Sequence, residues 1–180
     1  MSAPGLTFQL IGGAQAASRE DELLALRAEV YGHAGEPEAA RQFRVWRRQP
    51  GFVLAEVRNG GYLVGYACGM PLRPSTPWWK ELTTPLPAET VTEHPGRTFA
   101  LTELLVRAAW RRQGIGRSLQ ELILSDRPEE RATLAVPPGA SAAQQAFRRW
   151  GWTRVARTRG DGPDSAVLDV LVMALPAAAS

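Results

Sequence analysis

Apolar and polar positions along this chain follow two rhythms, and the rhythm changes at glycines and prolines. Thr7 to Ile11 reads as a short strand, closed by a Gly12-Gly13 turn. Ser18 has N-cap chemistry, and Asp21 and Glu22 fall in the first turn, where the helix dipole favours acids. Leu23, Leu24, Leu26, Val30 and Tyr31 then form a helical apolar face that stops near Gly32. Pro37 opens a second helix, carrying Ala40, Phe43, Val45 and Trp46 up to the Pro50-Gly51 break. Phe52 to Val57 and Tyr62 to Met70 are apolar runs separated by Arg58-Asn59-Gly60-Gly61, and Asn-Gly between such runs predicts a hairpin.

The rhythm is lost between Pro71 and Arg97, a stretch rich in Pro and Thr with adjacent Trp78 and Trp79. It predicts a long loop or short irregular helices, and long loops in compact domains are usually functional or disordered. Thr98 to Val106 returns to strand composition, and a helix follows through Leu119, Leu122, Ile123 and Leu124. Ala132 to Val136 is a short strand stopped by Pro137-Pro138-Gly139, and Ala142 to Trp150 is a helix ended by Gly151. Trp152 to Arg157 and Val167 to Leu175 read as a last pair of strands around Gly160-Asp161-Gly162-Pro163. This order predicts an α/β protein, a mixed sheet with helices on its faces. No internal repeat or linker interrupts it, so residues 1–180 are expected to be one domain with its core at about 7–176.

Composition narrows the class without changing that picture. The 180 residues are 44% hydrophobic and 22% charged, the balance of a globular protein. No apolar run approaches the roughly 20 residues of a membrane-spanning helix. Met1 to Gln9 has neither a basic nor an apolar leader region, and Cys68 is the only cysteine. A cytoplasmic protein without disulfides, zinc thiolates or any other metal site is therefore expected. The net charge is +3, and Lys80 is the only lysine, so arginine carries nearly all the positive charge. Nucleic-acid binders usually gather such charge on one face or arm, whereas here it is spread out. A polyanionic small ligand suits the cluster from Arg107 to Arg117 better, so nucleic acid is not the expected partner.

The most informative segment runs from Glu103 to Leu119. A strand leads through a short loop into a helix, with Gly114 and Gly116 at the helix start. Unpaired amides at a positive dipole end can hold an anion, and glycines let it approach the backbone. Arg111, Arg112 and Arg117 add charge suited to a diphosphate. Spacing alone leaves two readings open, an anion cradle or a plain helix start with arginines on a solvated face. No Gly-Lys-Ser/Thr follows, and G-x-G-x-x-G is incomplete, so neither nucleotide motif applies.

Arg111-Arg112-Gln113-Gly114-Ile115-Gly116 resembles Q/R-x-x-G-x-G/A, the acetyl-CoA signature of the GNAT superfamily of N-acetyltransferases. Leu104-Leu105-Val106 and Trp110 resemble the strand and loop before it, and Ala143, Phe147 and Gly151-Trp152 resemble the family's A-x-x-x-Y-x-x-x-G-F. Element order agrees from Phe8 to Pro176. The resemblance implies a mostly antiparallel sheet splayed between strands 4 and 5 and flanked by helices. Acetyl-CoA would be the acyl donor, its pantetheine arm on the backbone of Leu104, Leu105 and Val106 and its diphosphate on the amides of Arg112, Gln113, Gly114, Ile115, Gly116 and Arg117. A primary amine of a small molecule or peptide would attack it directly, without a covalent enzyme intermediate. Aminoglycosides, polyamines, amino acids and protein N-termini all fit as acceptors, and a homodimer is a common assembly in this family. Two positions depart from the pattern: the family's tyrosine acid falls at Phe147 and its asparagine near Ala140. They favour an alternative, a CoA-binding regulatory domain with impaired catalysis.

An ammonium substrate must lose a proton before it attacks, and a carboxylate can accept it. Glu103 lies on strand 4 just before the residues implied to hold pantetheine, which marks it as the candidate base. The competing reading is an exposed strand carboxylate paired with an arginine. Trp78 and Trp79 either face an acceptor, stacking on it or attracting its cation, or anchor their loop on the core. His33 and His94 read as surface residues, and Cys68 as a small core side chain.

Overall fold

The computed structural model describes residues 5–32, 37–159 and 166–177. His33 and the expected turn at Gly160-Asp161-Gly162-Pro163 lie outside them. Seven strands form one mixed sheet in the order β1-β2-β3-β4-β5-β7-β6, taking the labels in chain order as given below. By their contacts the residues fall into two compact units, and β4 (Thr98–Val106) runs through both. Among the described residues no helix is long and apolar enough to cross a membrane, and no three His, Cys, Asp or Glu side chains gather to hold a metal.

The first unit holds residues 1–70 and 101–125. It contains β1 (Leu6–Gly12), α1 (Gly13–Ser18), α2 (Glu20–Tyr31), α3 (Pro37–Arg47), β2 (Val53–Asn59), most of β3 (Tyr62–Pro71), the end of β4 and α5 (Ile115–Leu124). Strands β1 and β2 pair antiparallel, as do β2 and β3. Leu23 and Leu26 of α2 and Phe43 of α3 close over Leu54, Leu63, Tyr66 and Leu105, forming one apolar core. The hairpin falls one residue later than Asn-Gly suggests. Asn59 pairs with Tyr62 and closes the ladder, and the loop is Gly60-Gly61 with Gly60 at φ +59°.

The N-cap expected at Ser18 is not used. Ala14, Ala16 and Ala17 are strong helix formers, and they start α1 a turn and a half earlier. Ser18 Oγ instead donates to the Gln15 carbonyl at 2.7 Å, and α2 begins after Arg19 without a side-chain cap. Nor do Gly12 and Gly13 form a free turn. The strand runs through Gly12, and Gly13 lets α1 sit against α3, because a Cβ there would lie 2.1 Å from the Arg47 carbonyl oxygen.

The second unit holds residues 71–100 and 126–180. Its elements are α4 (Ala88–Val91), the start of β4, β5 (Arg131–Val136), α6 (Ser141–Arg149), β6 (Thr153–Arg159) and β7 (Val167–Ala174). β5 and β6 each pair antiparallel with β7, whereas β4 and β5 pair parallel only at Thr98–Ala100 against Arg131–Thr133. Residues 72–97 contain just the four-residue α4 and an isolated bridge from Leu82 to Thr158, as the absent periodicity implies. Their backbone is still tied down: Thr83 N–H donates to the Arg157 carbonyl at 2.8 Å and Arg159 N–H to that of Glu81 at 3.0 Å, covering the edge of β6.

The contact at Gly13 sets a test of the packing. Gly13→Ala is expected to lower the unfolding free energy in urea by about 1–3 kcal/mol through overpacking. Gly12→Ala, whose Cβ would meet nothing within 4 Å, is expected to stay within about 0.5 kcal/mol of the parent. Equal midpoints for the two variants would contradict the assigned contact.

Candidate functional site

The candidate residues of the Gly-rich turn and Glu103 all belong to the first unit. From Leu101 the exposure of β4 alternates, with Leu101, Glu103 and Leu105 buried and Thr102, Leu104 and Val106 partly exposed. Period two therefore places the Glu103 carboxylate on the same face as Leu105, which packs into the apolar core. Across from it, Gly65 of β3 would put a Cβ 2.6 Å from the Leu105 carbonyl oxygen. Only glycine lets the two backbones meet so closely at this point.

Beyond Val106 the chain makes a 3-10 turn at Ala108–Trp110 and reaches Gly114, which takes φ +82° and ψ −4°. That left-handed residue turns the chain sharply into α5. The first intrahelical bond is Ser118 N–H to the Gly114 carbonyl at 3.0 Å, and no side chain caps the end. The amides of Ile115, Gly116 and Arg117 thus have no intrahelical acceptor and point out at the positive end of the helix dipole. Arg112 adopts φ +62°, an uncommon conformation for a side-chain-bearing residue, inside the same turn.

The three arginines are not equivalent. Arg111 bends back so that its Nε donates to the Val106 carbonyl at 2.9 Å, and exposed Arg117 pairs with Glu121 one turn along at 2.8 Å. Arg112 is exposed at the turn itself. Arg107 is used structurally: its Nε donates to the Leu63 carbonyl at 2.7 Å, and it pairs with Glu29 and stacks over Tyr62.

Glu103 is 7% exposed, so the alternative of a solvent-exposed strand carboxylate is corrected, although its pairing with an arginine is found. Arg27 Nε of α2 donates to Oε1 at 2.7 Å, and the Tyr66 hydroxyl of β3 donates to Oε2 at 2.5 Å. The carboxylate faces inward because these donors meet it there, replacing the water it would find outside. Burial, and after it the charge of Glu103, pushes the Tyr66 phenol well above its ordinary range. The same two causes in the same order raise Tyr31, whose ring lies 5.0 Å from the Arg27 guanidinium. Cys68 is fully buried beside Thr102 Oγ1 at 3.4 Å, and burial pushes its thiol up as well. It is a core side chain, as its apolar strand implies.

Arg27, Tyr31 and Tyr66 do not stand out in the sequence. Arg27 is one polar position in a helical run, and Tyr66 is one more aromatic in a strand. A phenol amid small and aliphatic residues is the one cue, since a buried hydroxyl needs a partner.

Trp78, Trp79, Ala140 and Phe147 belong to the second unit. Trp79 is buried, with Nε1 donating to Glu93 Oε1 at 2.9 Å, and half-buried Trp78 donates to Thr133 Oγ1 at 3.2 Å. Trp78 thereby ties the 71–97 segment to β5, whereas the Trp79 bond stays within the segment and its ring lies under Arg131 of β5. Ala140 sits at the N-cap of α6 without a side chain able to cap it. Phe147 is buried edge-on to Trp150 and Trp152, with centroids 5.5 and 6.0 Å away. His94 is exposed, 3.7 Å from Glu130.

The fold has many solved counterparts. It is similar to NAA60 of Arabidopsis thaliana in complex with acetyl-CoA, at 14% identity and a TM-score of 0.69 over 94% of this chain and 99% of that one. It is also similar to the ribosomal-protein-S18-alanine N-acetyltransferase of Escherichia coli, at 17% identity and a TM-score of 0.61 over 97% and 96%. Ard1 of Thermoplasma volcanium matches at 14% and 0.66 over 96% and 99%. No curated protein sequence matches the chain. The sequence model of the acetyltransferase (GNAT) family matches residues 20–152, a span that includes Glu103, the strand end at Val106 and the uncapped turn at Gly114. On that match, this chain belongs to the GNAT acetyltransferase family.

Proposed function

We propose that the protein, acting as one catalytic domain, is an acetyl-CoA-dependent N-acetyltransferase that moves the acetyl group directly to a primary amine of a small molecule or peptide. The observation that carries this reading is the uncapped start of α5, reached through Gly114, at the end of the strand that bears a buried Glu103. The amides of Arg112 to Arg117 bind the diphosphate, with Arg111, Arg112 and Arg117 supplying charge around it. The backbone of Leu104, Leu105 and Val106 takes the pantetheine arm, with the Val106 carbonyl shared with Arg111.

The amine nitrogen attacks the thioester carbonyl carbon, the C–S bond breaks, and CoA leaves as its thiolate. The amine proton passes to Glu103, directly or through a water molecule. A phenyl ring cannot donate a proton, so Phe147 has no part in protonating the thiolate, which takes its proton from water or another group. The structural counterpart from Escherichia coli is named for transfer to a protein alanine, which supports including a peptide N-terminus among the acceptors. Phe147 and Ala140 support a second reading, a CoA-binding domain that no longer catalyses. Thiol release from acetyl-CoA with an alanine-initiated peptide, spermidine and kanamycin separates the two: release with any of them supports the enzyme, and CoA binding without release supports the second reading.

Gly116→Asp places a carboxylate where the diphosphate is assigned. The variant is expected to fold, because an acid suits a helix first turn. Its acetyl-CoA affinity by calorimetry is expected to fall roughly 100-fold or more, since like charges in contact cost several kcal/mol. Unchanged affinity would place the diphosphate elsewhere. Glu103→Gln is expected to lower kcat about 10²- to 10⁴-fold with little change in acetyl-CoA affinity. Full activity in that variant would remove Glu103 from the chemistry.

A further inference from the structure

We propose that Arg27 and Tyr66 are positioning residues that hold the Glu103 carboxylate in the one orientation from which it takes the proton of the amine. This inference rests on the base role assigned to Glu103 above. A glutamate side chain turns about three bonds, and a base must come within hydrogen-bond reach of the proton it removes. Here the two carboxylate oxygens are held by different elements, Oε1 by Arg27 from α2 and Oε2 by Tyr66 from β3. Each oxygen thus meets a donor from a different element, which fixes the carboxylate at both ends.

The donors are themselves restrained. Tyr66 is 1% exposed among the core side chains of β3, and the Arg27 guanidinium lies against the Tyr31 ring. The titratable and polar groups around the carboxylate are Arg27 and Tyr31 on α2, Tyr66 and Cys68 on β3, and Thr102 on β4. The tyrosines and the cysteine are all shifted toward their neutral forms. At neutral and mildly alkaline pH the phenol therefore stays a donor.

A clamp that serves proton removal matters only while the substrate is an ammonium. Tyr66→Phe, Arg27→Gln and Arg27→Lys are compared with the parent protein on the amine that the acceptor panel identifies. At a pH below the amine's own pKa, Tyr66→Phe and Arg27→Gln are expected to lower kcat roughly 10- to 100-fold, the scale of a small misplacement of a reacting group. Their acetyl-CoA affinity is expected to stay within about twofold, and Arg27→Lys to recover part of the loss through its remaining charged donor. Above the amine's pKa, where the neutral nucleophile is abundant, the deficit is expected to shrink. A purely structural role would leave it the same at both pH values, and such an outcome overturns the proposal. So do full kcat values in Tyr66→Phe and Arg27→Gln alongside an impaired Glu103→Gln, which would spare the base and remove only the clamp. A fully active Glu103→Gln would instead sink the base assignment itself. The clamp also has a signature independent of turnover: a phenol proton donated to a carboxylate at 2.5 Å gives a downfield, slowly exchanging hydroxyl resonance in the folded protein. Its absence from the parent protein, or its persistence in Tyr66→Phe, rules the clamp out.

Discussion

A carboxylate can be withdrawn from water only where other groups replace the hydrogen bonds it loses, and this protein is built around that constraint. The described residues include five buried acids, Glu56, Glu93, Glu103, Glu129 and Asp169. Each is met by arginine: Glu56 by Arg19 and Arg58, Glu93 by Arg131, Glu103 by Arg27, Glu129 by Arg127 and Asp169 by Arg157. Neutral donors complete several of these sets, among them Gln9 at Glu56, Trp79 at Glu93, Tyr66 at Glu103 and Gln144 at Asp169. Removing one partner from such a set leaves a charge buried without compensation.

This bears on a compositional fact that otherwise points to a ligand. A chain with one lysine among its 21 basic residues has chosen the guanidinium almost throughout. The planar fork of arginine can engage a carboxylate with two parallel bonds, as Arg127 does with Glu129 at 2.8 and 2.7 Å, and an ammonium cannot reproduce that geometry. Much of the positive charge is thus structural. Arg112 stands apart, exposed at the turn before α5, on a left-handed residue beside three amides without helical acceptors. The feature suited to an anion is accordingly that turn and not the net charge.

The proposed clamp on Glu103 would join this framework to the proposed chemistry. The donors that make its burial tolerable are the same ones that fix its orientation, and they come from two elements already locked by the core. In the second unit the same economy of means recurs around Glu93, whose Oε1 gathers Trp79, Thr98 and Arg131, although Oε2 has no partner among the described residues. There the cluster secures a loop that has almost no regular structure of its own.

Local order was written in the sequence wherever the signal is local. Strand and helix periods located nearly every element to within a residue or two, since burial of one face imposes a period of two or 3.6 on the side chains. The helix start at Gly114 was equally legible, because a left-handed residue before an apolar helical run leaves glycine as the unstrained choice. Local competition went unseen, as where Ala14, Ala16 and Ala17 outweighed the cap at Ser18. Tertiary structure alone decided which groups meet. That Glu103 turns inward, that Arg27 and Tyr66 wait for it 76 and 37 positions away along the chain, and that Trp79 serves Glu93, all depend on pairings between distant segments. Such pairings carry no periodic signature, because a hydrogen bond depends on distance in space and is indifferent to separation in sequence.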